Sequence, residues 1–494
     1  MKRPLFTLLL AAAALSGANA QAVDSALGQA APSVDAALES VQSDIERLSN
    51  PSLRLIGSDI WSLDTLKLDA LYERWNSYVL AHPKNELAWA NLFIVANERA
   101  VRMAGEAQLK YKKQKNVVGR MEQAIPDSYI FNFCAYESNY EYEKYRSEVI
   151  EYWEFAEKHN QFADRAIELL PENAKASDYE TWIIYLIREK PDQDSTQLND
   201  LLKRYFESGQ YPPEALQYHF NELQGMDEGA MYIGQNEGDI IGKLILQQVL
   251  GVHRDKIFYC ENSASFRPYL EAVFQRAGFS KDFFEPEGEW ARAEEQNNEL
   301  RLIIRYICEH STRPVYTSAS CIKRLIFDDG LPEDLKASFY NEGLTMHYSA
   351  TPYDNLAVKR RNVEERYRLE YLRLAFQPSN EHKNTQRFRQ SNFFLAFNYL
   401  LLLNDLLPYY KAYSPERHAW LNGLFTDMLI QMVRQGYGGI SFNGSTFMIK
   451  EHTEGEHYFE VTQTPCKYDE EERAMHLDKN PENTRVLIKT DPVK

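Results

Sequence analysis

The chain has 494 residues, of which 44% are hydrophobic and 13% aromatic, and its formal net charge is −17. This apolar content excludes wholesale disorder, and the length predicts two to four domains. The acidic balance argues against nucleic acid as a partner, because phosphate binding needs a basic face. It also argues against binding to anionic membrane surfaces, which repel an acidic protein.

The first twenty residues carry the pattern of a cleavable export signal. Lys2 and Arg3 precede an apolar run over 5–15, and the small residues of 18–20 suit a signal peptidase. The run is about half as long as the roughly 20 apolar residues that a membrane span needs, and no Cys follows it to carry a lipid. We therefore expect a mature chain that starts near Gln21 and does not span a membrane. We expect it in the periplasm or at the cell surface of a Gram-negative bacterium.

The cysteines do not follow a metal-binding or redox pattern. Their number is odd and their spacing long and irregular, so neither a zinc knuckle nor a redox dithiol is predicted. We expect small buried hydrophobic side chains, although an oxidising compartment permits one disulfide. The five residues are Cys134, Cys260, Cys308, Cys321 and Cys466.

The N-terminal part is predicted to be a flexible leader over 21–42 and then helical over 43–224. Two junctions of the form Pro-x-Asn, at 83–85 and 171–173, end one helix and open the next. These junctions resemble tetratricopeptide-type helical hairpins, but their separation is no simple multiple of that family's period. The sequence therefore predicts an irregular array of helical hairpins.

The pattern changes to alternating strands and helices over 225–352. Short apolar runs at 230–233, 256–259, 314–317 and 344–348 predict four strands, and intervening helices predict parallel pairing. Helices are expected over 353–435. The final part, 436–494, is predicted to hold a small β hairpin and a polar tail. The expected fold class is mainly α with a central α/β unit.

Two segments of the α/β region resemble a known group of proteins. The first is Met231-Tyr232-Ile233-Gly234-Gln235-Asn236-Glu237-Gly238-Asp239 followed by 246–257. The second is Arg313-Pro314-Val315-Tyr316 followed by 342–348. Both are similar to the soluble C-terminal region of an uncharacterised family of large Bacteroidota membrane proteins, over roughly 230–374. Members of that family carry a multispanning half similar to protein O-mannosyltransferases, and this sequence predicts no such half. The resemblance thus implies an exported α/β module, and any glycosyl transfer assigned to the membrane half is not carried over to this chain.

The loop after the first predicted strand is the main candidate ligand site, with Gly234, Asn236, Glu237 and Asp239 as its residues. Ligands collect where a strand of such a sheet ends and a helix begins. The loop lacks the spacing of a phosphate loop, and its two carboxylates suit a cation or sugar hydroxyls instead. The alternative is a plain strand–helix turn, in which Asp239 caps the helix and the glycines supply positive φ.

Two further groups of residues have side chains that could support catalysis or metal binding. Ser318 follows the third predicted strand at the same edge and joins the candidate ligand site, although helix capping explains it more simply. No Gly-x-Ser-x-Gly elbow surrounds it, so no catalytic residue is predicted. The group His452, Glu454, Glu456 and His457 could bind zinc, but strand alternation would separate the four side chains. We therefore predict a solvated charged turn there, with no metal and no cofactor.

These observations favour an exported scaffold or interaction protein of the bacterial envelope, without evident catalytic activity, which binds an envelope or surface protein. The alternative is an envelope-glycan-processing or carbohydrate-binding protein that uses the acidic loop. Helical hairpins present concave surfaces suited to the first function. The second needs an enclosed pocket at the strand ends near Ile233 and Thr317.

Overall fold

The computed structural model describes residues 43–100, 102, 160–191, 195–264, 266–284, 299–318, 335, 337–373, 386–434, 436, 438–442, 445–469, 474–477 and 483–493. The predicted export signal and leader lie outside these ranges, as do Cys134 and Cys321. The chain divides into two compact units. The first reaches to Trp182 and includes Ser265–Arg267, and the second comprises Ile183–Ala264 and Pro268–Lys494.

The described part of the first unit consists of helices, as the sequence predicts. Asp64 accepts a hydrogen bond from the Lys67 amide at 2.8 Å and so caps the helix that follows. Asn85 caps the next helix by accepting from the Ala88 amide at 3.1 Å. The described helices are α1 (43–48), α2 (Gly57–Ile60), α3 (Thr65–Ala81), α4 (86–100) and α5 (160–168), and α6 (Ala176–Glu189) leads out of the unit.

The core of this unit forms where apolar residues recur at helical spacing. Leu68, Leu71, Trp75 and Val79 line one face of α3 and are almost completely buried. The buried Asn91 amide fixes the segment before α2, since it accepts from the Leu55 amide at 2.9 Å and donates to a neighbouring carbonyl. The leucine spacing read from the sequence therefore corresponds to a real packed face.

The second unit is built around a five-stranded sheet in the order β2-β1-β3-β5-β4. Strand β1 pairs in parallel with β2 and with β3, as predicted. All four residues of β1, of β2 and of β3 are buried, as expected for parallel strands covered by helices on both faces. The strands are β1 (Met231–Gly234), β2 (Ile257–Cys260), β3 (Val315–Ser318), β4 (Phe339–Asn341) and β5 (Thr345–Tyr348).

The fourth predicted strand is present, but it is not parallel to the others. Strand β5 runs antiparallel to β3 and to β4. The physical reason is that a tight turn at 342–344 joins β4 to β5, and a hairpin connection forces antiparallel pairing. The three-residue β4 was not predicted, and the antiparallel pairing of β5 with β3 and β4 makes the sheet mixed.

Helices surround this sheet and continue to the C-terminal region. Two of them end in π-helical segments, in which one extra residue widens the turn. The first segment is Ile245–Val249 and the second is Asn362–Arg366. The helices are α7 (Thr196–Glu207), α8 (Pro213–Gly225), α9 (Gly238–Leu244), α10 (Arg267–Ala277), α11 (Glu299–His310), α12 (Asn355–Arg361), α13 (Gln386–Leu403), α14 (Leu406–Tyr413) and α15 (Pro415–Arg434).

Helix α8 is joined to distant parts of the second unit through buried polar groups. The Asn221 amide donates to the Tyr399 hydroxyl at 2.8 Å and to the Arg368 carbonyl at 3.0 Å, and it accepts from the Arg368 amide at 2.9 Å. The Tyr218 ring packs edge-on against Tyr399. These contacts tie α8 to the helical core formed by α13 and α15.

The predicted C-terminal hairpin is confirmed and belongs to a larger antiparallel sheet. Strands β7 and β8 pair over their facing lengths, and Gly455 in the turn between them has a φ of +85°, which favours glycine. The sheet order is β10-β8-β7-β6, and β9 pairs with β8. The strands are β6 (Gly439–Phe442), β7 (Ser445–His452), β8 (Tyr458–Asp469), β9 (Ala474–Leu477) and β10 (Arg485–Lys489).

Candidate functional site

The acidic loop lies at the carboxyl end of β1, where the sequence places it, and Glu237 is its most constrained residue. Glu237 is 4% exposed and forms an ion pair with Arg188 of α6, whose Nε lies 2.8 Å from Oε1. The Ser263 hydroxyl donates to the same carboxylate oxygen at 2.6 Å. The predicted ligand group is therefore already bound by side chains of the protein.

The other residues of the loop bond to one another. The Asp239 carboxylate accepts from the Gln235 amide at 2.9 Å, and Asn236 Oδ1 accepts from the Asp239 amide at 3.3 Å. Asn236 thus does the capping that the turn interpretation assigned to Asp239. Neither Gly234 nor Gly238 has a positive φ. At Gly234 the reason for glycine is close packing, because a Cβ there would lie 3.1 Å from the Asp239 side chain.

Ser318 is the last residue of β3 and is 6% exposed. Its neighbour Thr317 pairs in register with Ile233, and the Thr317 hydroxyl donates to the Ile233 carbonyl at 2.9 Å. The structure therefore brings the five predicted residues to one edge of the sheet. It also shows that the polar groups at this edge bond largely to each other.

A buried polar network that was not predicted from the sequence lies beside this edge. The Lys243 ammonium is fully buried and donates to Glu222 Oε2 at 2.6 Å and to the Asp239 carbonyl at 2.7 Å. It also lies 2.9 Å from His219 Nδ1 and 4.1 Å from the centre of the Tyr232 ring. A lysine without exposure needs such partners, because an unpaired buried charge is costly.

The network fixes the ionisation of its members. Burial opposes ionisation of Glu222, but Lys243 and His219 outweigh burial and hold the pKa of Glu222 below its usual value. Burial and the Lys243 charge lower the pKa of His219, so its imidazole is neutral. Burial raises the pKa of Asp239. The Lys243 ammonium thus faces the Glu222 carboxylate inside the protein.

Gly242 shows how tightly this network is packed. It lies on α9 next to Lys243, and a Cβ at this position would overlap the Tyr211 hydroxyl and the His219 ring. Only glycine allows the helix to approach these side chains so closely. The tightly packed network is therefore a structural element that holds α8, α9 and β1 together.

A second polar group surrounds the β4–β5 hairpin. The Tyr353 hydroxyl donates to Glu342 Oε1 at 2.6 Å, and His347 Nδ1 lies 3.3 Å from the same oxygen. The His347 ring stacks on Tyr316 at a centroid distance of 4.6 Å. Burial and the Glu342 charge raise the pKa of both tyrosines. Both phenols therefore stay protonated, and neither can act as a base near neutral pH.

The opposite edge of the sheet carries a cleft, which we name the amino-edge cleft. It lies where the chain enters β1 and β2 and has a volume of about 400 Å³. This volume falls within the range of about 300–1,000 Å³ of small-molecule sites, and the cleft is largely open to solvent. No function was predicted for this edge from the sequence. The side chains that line it include Met226, Glu228, His253, Asp255, Lys256 and Arg366.

The described residues give no support for a metal site. Among them, no three His, Cys, Asp or Glu side chains are grouped closely enough to hold an ion. The histidines of the β7–β8 hairpin pair separately, His452 with Glu460 at 3.2 Å and His457 with Glu451 at 2.8 Å. Cys260 and Cys308 are buried free thiols whose pKa burial raises, so neither is a reactive nucleophile.

Within the residues that the structure describes, no helix has both the length and the apolar composition to cross a membrane. Comparison of the chain with protein-family models, with curated proteins and with solved structures found no match.

Proposed function

We propose that the protein is a scaffold or interaction protein of the bacterial envelope, and that it binds a protein partner through the outer face of α3. The observation that carries this proposal is the exposure of two leucines on that helix. Leu66 is 82% exposed and Leu80 is 73% exposed. The opposite face of the same helix is buried in the core of the first unit.

The two leucines occupy one stripe of the helix. They are about 3.9 helical turns apart, which places them about 40° apart around the axis and about 21 Å apart along it. Between them the outer face carries the exposed residues Ala70, Glu73 and Ser77. Single exposed leucines are common on soluble proteins. Two at the ends of one shallow stripe suit a partner surface that covers the whole helix.

The alternative, carbohydrate binding through the acidic loop, needs carboxylate oxygens that can accept hydrogen bonds from sugar hydroxyls. Glu237 Oε1 already accepts from Arg188 and Ser263. A sugar would have to displace both donors from a buried site, which costs the desolvation of the Arg188 charge. This competition favours the interaction function over glycan binding.

The test is affinity capture from an envelope extract with the mature chain and with the double variant L66E/L80E. L250E is the matched control, because Leu250 is also exposed, at 43%, but lies in the second unit. We expect one protein to be recovered reproducibly by the unmodified chain and by the control, and to be lost with the double variant.

Titration calorimetry with that protein, purified, then tests direct binding. Replacing both exposed leucines by glutamate on a covered face is expected to weaken the affinity at least about 100-fold, as for hot-spot residues. Equal affinity of the double variant and of the control would refute the assignment of the binding face. Failure to recover any protein reproducibly would refute the interaction function itself.

A further inference from the structure

The amino-edge cleft combines a suitable volume with charged groups that the protein holds in fixed positions. Lys256 is the most buried of them, with a side chain that is 4% exposed. Its ammonium donates to the Asp227 carbonyl at 2.5 Å and to Asp255 Oδ2 at 2.9 Å. The Gly229 amide donates to the same Asp255 oxygen at 2.6 Å. Lys256 and Asp255 therefore neutralise each other and form a rigid wall.

Arg366 supplies a cation whose charge is not neutralised in this way. Its Nη1 donates to the Gly225 carbonyl at 3.0 Å and to Asn362 Oδ1 at 3.2 Å, which fixes the guanidinium plane. Its Nε and Nη2 groups have no acceptor within the described part of the chain. An arginine held through one nitrogen is preorganised to bind a carboxylate with the other two.

The backbone at this edge is irregular, and both irregularities supply residues to the cleft. Arg366 is the last residue of the second π-helical segment. The first segment leads into Gly251 and into His253, which has a φ of +54° although it is not glycine. The Gln247 side chain holds the His253 carbonyl at 2.6 Å. Such segments and such strained residues concentrate at functional sites.

Glu228 provides the opposite charge on the loop that leads into β1. It is exposed, lines the cleft and forms no ion pair among the described residues. The cleft therefore offers one available cation, Arg366, and one available carboxylate, Glu228. His253 adds a neutral imidazole to the lining of the cleft, because burial and the Lys256 charge lower its pKa.

We propose that the amino-edge cleft binds a small zwitterion of the α-amino acid class. The ligand carboxylate lies on Arg366, and the ligand ammonium lies on Glu228. Because Lys256 and Asp255 neutralise each other, their wall attracts neither the carboxylate nor the ammonium of the ligand. A simple anion would meet the uncompensated charge of Glu228, and a simple amine would meet that of Arg366. Only a ligand with both charges satisfies both groups.

Titration calorimetry of the mature protein with each of the common free amino acids tests the proposal, followed by the N-acetyl and carboxamide derivatives of whichever binds. We expect at least one amino acid to bind at millimolar or lower concentration. We expect each derivative to bind at least about tenfold more weakly, as the loss of one charge-assisted contact implies.

Variants assign the contacts. R366M and E228Q should each weaken binding at least about tenfold, whereas R361M should leave it unchanged, because Arg361 is exposed and lies five residues earlier. R366K tests the bidentate contact without removing charge, and circular dichroism checks the fold of each variant. E228Q lies on an exposed loop, so it remains informative if R366M unfolds the protein.

Three outcomes would overturn the proposal. The first is that no free amino acid binds. The second is equal binding of the N-acetyl derivative, which would indicate a simple anion site. The third is unchanged affinity of E228Q. Loss of binding in E228Q and with both derivatives supports the zwitterion.

Discussion

Replacement of Lys243 by methionine tests the role of the buried network most directly. K243M keeps a long unbranched side chain, so the volume at this position changes little. It removes the ammonium that donates to Glu222 and to the Asp239 carbonyl. It also removes the cation above the Tyr232 ring. The carboxylate of Glu222 then stays buried without its main counter-charge.

The expected cost follows from what remains after the change. Removing one partner of a buried ion pair costs about 3–5 kcal/mol, because the other charge is left uncompensated. The Tyr232 hydroxyl still donates to Glu222 at 3.1 Å and His219 lies 2.8 Å from it, so part of the cost is recovered. We expect K243M to lower the free energy of unfolding by about 3 kcal/mol. The double variant K243M/E222Q should cost at least ~1 kcal/mol less than the sum of the single variants.

Urea unfolding followed by circular dichroism measures these values for the transition of the second unit. The matched control is K203M, because Lys203 is 60% exposed and pairs only distantly with Glu207, at 3.9 Å. This control should change the free energy of unfolding by less than about 0.5 kcal/mol. A K243M cost below about 1 kcal/mol, or single costs that simply add, would show that the network does not stabilise the fold as argued.

Three further changes test other features of the second unit. Burial raises the pKa of Glu189 from an ordinary value of 4.5 to about 7. The folded state therefore binds more protons between these values and loses stability as the pH rises. E189Q should be more stable than the unmodified protein by up to about 3 kcal/mol above this range and equal to it below, in urea unfolding against pH. G242A should lower stability by about 1–3 kcal/mol through overpacking, whereas G423A should not, because no atom lies within 4 Å of a Cβ at Gly423; thermal unfolding compares the two. H253G should raise the free energy of unfolding by about 1 kcal/mol by relieving the positive φ, and an unchanged or lower value would contradict the strain.

Local signals in the sequence were sufficient for most of the fold. Asp64 before an apolar stripe predicts the start of α3, and a four-residue apolar run predicts β1. Both depend on neighbours in the chain, which a sequence shows directly. The three-residue β4 was missed because so short a strand carries no alternation. It forms because the turn at 342–344 places it beside β5.

The π-helical segments could not be read from the sequence either. One extra residue in a turn leaves the apolar spacing nearly unchanged over five positions, so the pattern at 245–249 still fits an ordinary helix. Their consequence, the positive φ of His253 and the position of Arg366, became visible only with the backbone.

The position of the candidate residues was predicted, but not that Glu237 is already bound by Arg188 and Ser263. Glu237 is correctly placed after β1, but its partner Arg188 is 49 residues earlier, and nothing local joins the two. Lys243 did carry a usable signal. It lies three residues after Ile240 and one before Leu244, on the apolar face of α9. A lysine on a core face predicts a buried acidic partner.

The amide of Asn221 has a consequence for the order in which the chain folds. Its partners, the Arg368 backbone and the Tyr399 hydroxyl, lie 147 and 178 residues further along the chain. At a synthesis rate of about 5–20 residues per second, Tyr399 is made roughly 10–40 s after Asn221. During that interval α8 can pack against β1 and α9, but the partners of Asn221 are still missing. The packing of α8 against α13 is therefore a late event in folding, which depends on nearly the whole chain.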